Sequence, residues 1–157
     1  MIKINNYSKN EVFYATKHSA GFDISASCDG LIPPHQWRLI STGLYIEGWE
    51  PLKIIAQLPD SRGYTQTKAV ELIPQLQIVP RSGLALSKGV TVLNSPGTVD
   101  CDYKQEIKIM LINHGEFPFI ITKGDRIAQG VMTYVDKVEG VTVKQVDRQN
   151  GFGSTGI

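Results

Sequence analysis

The sequence Gln105-Glu106-Ile107-Lys108-Ile109-Met110-Leu111-Ile112 decides the fold class of this chain. Its apolar residues first alternate with polar ones, which is the period of a β-strand with one buried face. Met110 and Ile112 then make the opposite face apolar as well. The segment therefore predicts a strand that becomes buried on both faces.

Similar β-forming runs recur on either side of this segment. They cover residues 22–26, 38–40, 44–46, 76–79, 106–112, 117–121 and 127–134, and Gly, Pro, Asp or Asn separates most of them. Many short strands with few helical patterns are typical of a β-sandwich or jelly-roll barrel. We therefore expect an all-β, jelly-roll-like protomer.

One short helix is expected within this β-rich pattern, at residues 82–88. Ser82 is a residue type that caps helix starts, and Gly89 suits a left-handed C-terminal cap. The start of such a helix could receive an anion.

Size and composition indicate one soluble domain. The chain has 157 residues, of which 41% are hydrophobic, and a formal net charge of +1. This charge creates no bulk field that favours a nucleic-acid backbone or a membrane surface, and no apolar run approaches the ~20 residues that cross a bilayer. Cys28 and Cys101 are far apart and no secretory signal is present, which predicts reduced thiols and a cytoplasmic location. We expect no nucleic-acid or membrane partner.

Two clusters could bind or hydrolyse a phosphate ester. Arg81, Ser82 and Gly83 bring a guanidinium, a hydroxyl and helix-start amides together, although a plain capped helix beside a surface arginine has the same sequence. Asp100 and Asp102 alternate, so in extended chain they share a face, and a carboxylate there could act as a general base. Aspartates also simply form turns.

The remaining candidates lie near the two chain ends. Asp23 is one acid on an otherwise apolar strand, which suits either a metal-bound water or a turn or edge position. Gln129 alternates with apolar residues and is a ligand candidate, whereas Asp125 and Arg126 would more often form a buried structural ion pair. Residues 148–157 are rich in glycine and poor in apolar residues, as in a disordered end or a nucleotide lid.

The order of these fragments resembles a known family. Residues 20–26, 80–90, 94–113, 123–132 and 148–156 resemble the five successive motifs of trimeric dUTP pyrophosphatases. The most specific of them is Gly151-Phe152-Gly153-Ser154-Thr155-Gly156. The resemblance implies a jelly-roll-like protomer at residues 1–147, with an atypical insertion at about 49–74. It also implies a homotrimer, with active sites at subunit interfaces that are closed by a C-terminal arm at 148–157.

The resemblance further implies the substrate contacts. They are Arg81, Ser82, Gly83, Asn94, Gly97, Thr98, Val99, Asp100, Tyr103, Lys108, Gln129, Arg148, Phe152, Gly153, Ser154 and Thr155. Motif 80–90 and Gln129 would hold the phosphates, and the hairpin from Asn94 would read the uracil edge with Lys108 at its rim. Tyr103 would pack against the deoxyribose, and the arm would close over the base and the γ-phosphate.

The implied reaction is the hydrolysis of dUTP to dUMP and pyrophosphate. Asp100 would activate a water for attack on the α-phosphorus, with Mg²⁺ held mainly by the triphosphate and Asp23 reaching that metal through water. Such an enzyme limits uracil incorporation into DNA and supplies dUMP for thymidylate synthesis. The alternatives are a dCTP deaminase of the same fold and a catalytically silent jelly-roll binding module.

Four features depart from the family pattern. Gln105 and Asn150 stand where glycine is common, and Gly130 replaces a larger apolar residue. The stretch at 49–74 is longer than usual and is expected to be either an extended surface hairpin or a rim that touches a neighbouring subunit or partner.

Overall fold

The computed structural model describes residues 1–137 and residue 141, and all elements below belong to that part of the chain. In chain order they are β1 (Ile2–Asn6), β2 (Gly21–Ser25), β3 (Gly30–Ile32), β4 (Trp37–Trp49), β5 (Leu52–Pro59), β6 (Thr65–Pro80), α1 (Ser82–Lys88), β7 (Val90–Val92), β8 (Gly97–Asp100), β9 (Ile107–Asn113), β10 (Phe119–Ile121) and β11 (Arg126–Val135).

The strands form two main antiparallel sheets that share one core. Sheet A has the order β1-β4-β9-β7, and sheet B has the order β2-β11-β6-β5 with β8 also paired to β6. Strands β3 and β10 form a small third sheet. The predicted all-β, jelly-roll-like protomer with one short helix is confirmed.

The core lies between the two sheets. Sheet A contributes Ile40, Leu44, Ile46, Val90, Val92, Ile107, Ile109 and Leu111, and sheet B contributes Phe22, Ile24, Leu76, Ile78, Ile127 and Ala128. On β9 the residues between the buried ones, Met110 and Ile112, are themselves half-buried. The inner face of β9 is therefore buried as predicted, whereas its outer face is only half-buried, so the prediction of burial on both faces is met in part.

Strand β4 joins two segments that the sequence predicts as separate strands. The register of β4 against β9 shifts between Ile40 and Leu44. Within this bulge, Oε1 of Glu106 accepts hydrogen bonds from the backbone N–H groups of Thr42 (3.0 Å) and Gly43 (2.8 Å). A side-chain carboxylate thus replaces ladder acceptors, and the strand continues through the irregularity.

Strands β5 and β6 form a long hairpin that occupies most of the stretch 49–74. They pair from Leu52 opposite Leu72 to Pro59 opposite Thr65. In the connecting turn, Oδ1 of Asp60 accepts from the backbone N–H groups of Tyr64 (2.9 Å) and Arg62 (2.8 Å), which lowers the pKa of the Asp60 carboxyl. The hairpin interpretation of this stretch is confirmed.

The N-cap of helix α1 lies one residue earlier than the sequence suggests. Ser82 is the first helical residue, and the N-cap is Arg81, which has an extended backbone (φ −87°, ψ 122°) and no side-chain capping bond. The prediction that Ser82 caps the helix was wrong, because the chain remains extended through Arg81 as it leaves β6. Gly89 does form the left-handed C-cap (φ 65°, ψ 22°). No helix in the described residues is both long and apolar enough to span a membrane.

Gly130 allows close contact between β11 and the ring of Phe22. A Cβ atom at this position would lie 2.5 Å from Cζ of Phe22, closer than non-bonded carbons can approach. The close packing of the Phe22 ring therefore explains why glycine occupies position 130.

We expect Gly130→Ala to destabilise the protein by about 1–3 kcal/mol, the usual cost of overpacking a core. Phe22 borders a cavity of about 250 Å³, into which its ring can partly shift. Urea unfolding measures the effect, and Gly48→Ala is the matched control because nothing lies within 4 Å of its added Cβ. In the double variant, Phe22→Leu should recover most of the stability that Gly130→Ala loses. Equal stability of Gly130→Ala and Gly48→Ala would contradict this account.

Candidate active site

Three neighbouring strands bring the first group of candidate residues together. Strand β11 lies between β2 and β6, and Gln129 pairs with Asp23 on one side and with Val79 on the other. Strand β6 ends at Pro80, so Arg81 follows directly at this edge of the sheet. Residues far apart in the sequence thus meet at the junction of β2, β6 and β11.

The carboxylate of Asp23 is the centre of this cluster. Its side chain is 3% exposed; Oδ1 accepts a hydrogen bond from Nε of Arg81 at 3.0 Å, and Oδ2 accepts one from Nη1 of Arg126 at 3.0 Å. Nη1 of Arg81 also donates to the carbonyl oxygen of Arg126 at 3.1 Å. Nε2 of Gln129 makes a longer contact of 3.4 Å with Oδ1. Two guanidinium groups therefore share one buried carboxylate, and the cluster keeps a net positive charge.

Arg126 has a different partner from the one that the sequence suggests. The expected buried ion pair between Asp125 and Arg126 was wrong: both residues are exposed, and Oδ2 of Asp125 accepts from the backbone N–H of Thr122 at 2.8 Å. The guanidinium of Arg126 lies over the ring of Phe13 at 6.0 Å and bonds to Asp23. The sequence analysis missed this contact. A buried aspartate requires a counter-charge, so the single acid on an otherwise apolar strand was the signal that could have pointed to a second basic residue.

Asp100 lies on the other side of β6. Residues Gly97–Asp100 form β8, whose partner among the described strands is β6, with Gly97 opposite Ile78 and Asp100 opposite Gln75. Strand β8 therefore pairs with β6, and not with a strand next to it in sequence as expected for a hairpin. The amide of Asn94 packs against Gly97, since a Cβ there would lie 3.2 Å from its Nδ2.

The two aspartates do not share a strand face. Strand β8 ends at Asp100, and the next residues form a turn in which the N–H of Tyr103 donates to the carbonyl oxygen of Asp100 at 3.0 Å. The expectation of a shared face was wrong because Asp102 lies in this turn and is exposed, whereas Asp100 is half-buried. Asp100 is therefore the better placed of the two to work in an enclosed site.

Buried Cys101 separates these aspartates. Burial, together with the nearby charges of Asp102 and Asp100, raises the pKa of the Cys101 thiol. A thiol with a raised pKa is a poor nucleophile at neutral pH. Cys101 is therefore a packing residue of this turn, and both it and the exposed Cys28 are free cysteines.

Tyr103 follows the turn and packs against the core. Its hydroxyl donates to the carbonyl oxygen of Glu106 at 3.3 Å. Burial, and then the charge of Glu106, raise the pKa of the Tyr103 phenol, which keeps it neutral. Nζ of Lys108 lies 3.7 Å from Oε2 of Glu106. Glu106 therefore supports both residues, and no motif or spacing in the sequence pointed to this role.

The two groups of candidates are well separated within one protomer. Arg81 lies six residues beyond Gln75, the partner of Asp100, which corresponds to roughly 20 Å along a strand. Arg148, Phe152, Gly153, Ser154 and Thr155 lie outside the described residues. Within residues 1–137 and 141, no group of three or more His, Cys, Asp and Glu side chains could hold a metal ion.

Sequence comparison finds close relatives over most of the chain. A family model described as dUTPase matches residues 71–156. A protein of Hydrogenobaculum sp. named deoxyuridine 5'-triphosphate nucleotidohydrolase is 46% identical over 92% of this chain and 89% of its own length. A Rickettsia typhi protein of the same name is 40% identical over 99% of this chain and 94% of its own length.

Solved structures share the fold at much lower identity. The Streptococcus mutans dUTPase superposes with a TM-score of 0.64 at 20% identity and covers 87% of this chain and 98% of its own. A Staphylococcus bacteriophage 80alpha dUTPase with dUpNHpp gives a TM-score of 0.66 at 17% identity, covering 100% and 99%. Native EIAV dUTPase gives 0.61 at 18% identity, covering 96% and 99%. At these identities the likeness shows the fold alone.

Proposed function

Because the chain belongs to the dUTPase family and is therefore a dUTP diphosphatase, we propose that Asp100 activates the water that cleaves dUTP. The Asp100 carboxylate takes a proton from a water molecule, and the resulting hydroxide attacks the α-phosphorus. The bond from the α-phosphorus to the bridging oxygen breaks, and pyrophosphate leaves with both electrons of that bond. The half-buried position of Asp100 at the end of β8 supports this role.

Recognition of uracil is assigned to the start of β8. Backbone N–H and C=O groups alternate between the two edges of a strand, and β6 occupies one edge of β8. The other edge, through Gly97, Thr98 and Val99, offers donors and acceptors in fixed positions for the base. Cytosine would leave some of these groups unpaired, which can cost about 10⁴-fold in discrimination. Exposed Asn94 and Lys108 would complete the rim of this pocket.

Discrimination between deoxyribose and ribose is assigned to Tyr103. Its ring is half-buried, and its hydroxyl is bonded to the backbone at Glu106, so the ring has one fixed position. A ribose 2′-hydroxyl would collide with a ring held in this way. This supports the selection of dUTP over UTP by shape.

The phosphates are assigned to the junction after β6. The first helical hydrogen bonds of α1 come from the N–H groups of Leu84 and Ala85 to the carbonyl oxygen of Arg81. The amides of Ser82 and Gly83 precede these bonds, and both residues are exposed. Together with the Arg81 guanidinium and Gln129 they can hold the phosphate oxygens.

Mg²⁺ would enter as part of the substrate complex, bound to the triphosphate oxygens. There it would neutralise charge that develops on the leaving pyrophosphate. The described side chains do not fit a resident metal, because Asp23 is buried and already bonded to two guanidinium groups.

The proposal depends most on the separation of the two half-sites along β6. A general base must lie within about 3 Å of the proton that it abstracts. Arg81 and Asp100 of one protomer are roughly 20 Å apart along the strand. This distance supports active sites shared between protomers, with phosphate-binding residues from one chain and Asp100 from another.

Association is also supported by the outer face of sheet A. Trp37 is 56% exposed and Leu39 is 39% exposed; they pair with Ile112 and Met110, and cross-strand partners point to the same face. An exposed apolar face of this kind is typical of an interface. We assign the protein to homotrimers, in which residues 1–147 form the body and residues 148–157 an arm that closes a neighbouring site. Two free cysteines favour action in the reducing cytoplasm.

One assay tests this function. Purified protein with Mg²⁺ is given dUTP, dCTP, dTTP or UTP, and pyrophosphate and ammonia are measured. We expect pyrophosphate from dUTP, at a kcat/KM that exceeds the values for the other nucleotides by at least about 10²-fold. Release of ammonia from dCTP, or the absence of pyrophosphate from dUTP, would contradict the assignment.

A further inference from the structure

We propose that Asp23 is a positioning residue, which fixes the guanidinium of Arg81 for the triphosphate and does not bind the hydration shell of the metal. The inference deepens the proposed function and rests on it. It starts from the geometry of one buried carboxylate between two arginines.

The surroundings of Asp23 do not suit a hydrated cation. Mg²⁺ keeps several waters, and a carboxylate that binds one of them must be open to the site. Asp23 is 3% exposed, and each of its oxygens already accepts from a guanidinium nitrogen at 3.0 Å. A dication would also be repelled by both Arg81 and Arg126. Position and charge therefore both disfavour the metal role.

The same contacts orient Arg81 for an anion. Nε donates to Asp23 and Nη1 donates to the carbonyl oxygen of Arg126, so two bonds fix the plane of the guanidinium. No described residue accepts a hydrogen bond from Nη2, and the Arg81 side chain remains 24% exposed. A group held in this way loses little conformational freedom when it binds phosphate. Nη2 is thus the nitrogen presented to the triphosphate.

Arg126 supports the position of both Asp23 and Arg81. It bonds to the second oxygen of Asp23, packs on the ring of Phe13, and supplies the backbone acceptor for Arg81. Because Arg126 shares the charge of Asp23, the carboxylate does not neutralise Arg81 completely. The cluster keeps a net positive charge, which favours the binding of an anion.

Asp23→Asn tests the inference, with Asp125→Asn as control. The control removes one negative charge from the adjacent turn, at an exposed carboxylate that bonds to backbone and not to an arginine. Calorimetry measures the affinity for dUMP and for a non-hydrolysable imido analogue of dUTP over a series of Mg²⁺ concentrations. We expect Asp23→Asn to weaken analogue binding by about 10- to 100-fold, the range for a hydrogen bond to a charged group.

Two ratios separate positioning from other roles. The affinity for dUMP should change less than about 3-fold, so the preference for triphosphate over monophosphate falls by about 10-fold or more. The Mg²⁺ concentration that gives half-maximal binding should stay within about 2-fold of the wild type. A raised Mg²⁺ requirement with normal analogue affinity at saturating Mg²⁺ would overturn the inference, as would an unchanged preference for triphosphate.

Arg126→Gln provides a second test if Asp23→Asn does not fold. Its side chain is 46% exposed, so the substitution is mild, and it frees one oxygen of Asp23. The positioning role predicts weaker analogue binding and an unchanged Mg²⁺ requirement. A metal role predicts the opposite, a lower Mg²⁺ requirement. Wild-type protein that releases no pyrophosphate from dUTP would refute the proposed function itself, whereas an active wild type with unaffected variants would refute only this inference.

Discussion

Asp100→Asn is expected to lower the turnover of dUTP by about 10²–10⁴-fold, the usual contribution of a general base. Asparagine has nearly the same shape but cannot take a proton from water. The backbone of β8, which carries the proposed base contacts, should remain paired with β6. Affinity for the imido analogue of dUTP should therefore stay within a few fold of the wild type. Single-turnover kinetics and calorimetry measure the two quantities.

Asp102→Asn is the matched control for this prediction. Asp102 lies two residues further on, in the turn, and its side chain is exposed. We expect near-normal turnover from this variant. If Asp100→Asn also turns over normally, another group is the base; if both variants are impaired, the turn and not a single carboxylate is responsible.

Removal of residues 148–157 is expected to lower kcat/KM by about 10²–10³-fold. The proposed arm supplies an aromatic face for the base and a charge for the γ-phosphate, and such contacts contribute about 1–3 kcal/mol each. The loss arises from an open site, so the assembly should keep its size. Steady-state kinetics and light scattering test these two statements.

Phe152→Ala and Phe152→Trp measure how much of this effect comes from the aromatic side chain of the arm. If the aromatic face closes the site, Trp should retain most of the activity and Ala should lose about 10-fold or more. An unchanged rate after truncation would exclude the arm from catalysis. A smaller assembly would show that residues 148–157 contribute to association.

The sequence predicts the centre of the fold better than its edges. Residues Ile107–Asn113 begin with an alternation of apolar and polar residues and then become apolar on both faces, and they form an internal strand of sheet A. Strands β1, β3 and β7, of five, three and three residues, were not predicted. The pairing of β8 with β6 is equally invisible in a local pattern. Such pairings depend on the whole sheet.

The bulge in β4 shows why strand boundaries are difficult to predict. Gly43 lies between two apolar runs, and this pattern indicates a break between two strands. The backbone of Gly43 does have a positive φ of 70°. The strand continues because the carboxylate of Glu106, about 60 residues away in sequence, binds the N–H groups at the break. No local window contains both partners.

The site residues also differ in how far the sequence predicts them. Candidates such as Arg81, Asp100 and Gln129 could be selected from residue type and motif order. Their partners could not, since Asp23 is 58 residues from Arg81 and 103 from Arg126. For Asp23 the sequence suggested either a metal-bound water or a turn or edge position, because the sequence alone does not show which residues lie near it.

The position of β11 between β2 and β6 sets the order in which the chain can fold during synthesis. About 100 residues separate β2 from its partner, which corresponds to roughly 5–20 s of translation at ordinary rates. The edge of β2 that faces β11 remains open throughout that time, and the edge of β6 that faces β11 remains open from the synthesis of β6 onward. Open edges favour pairing with other chains. A ribosome that stalls before residue 126 would therefore release an aggregation-prone chain, although its N-terminal strands β1 and β4 can already pair.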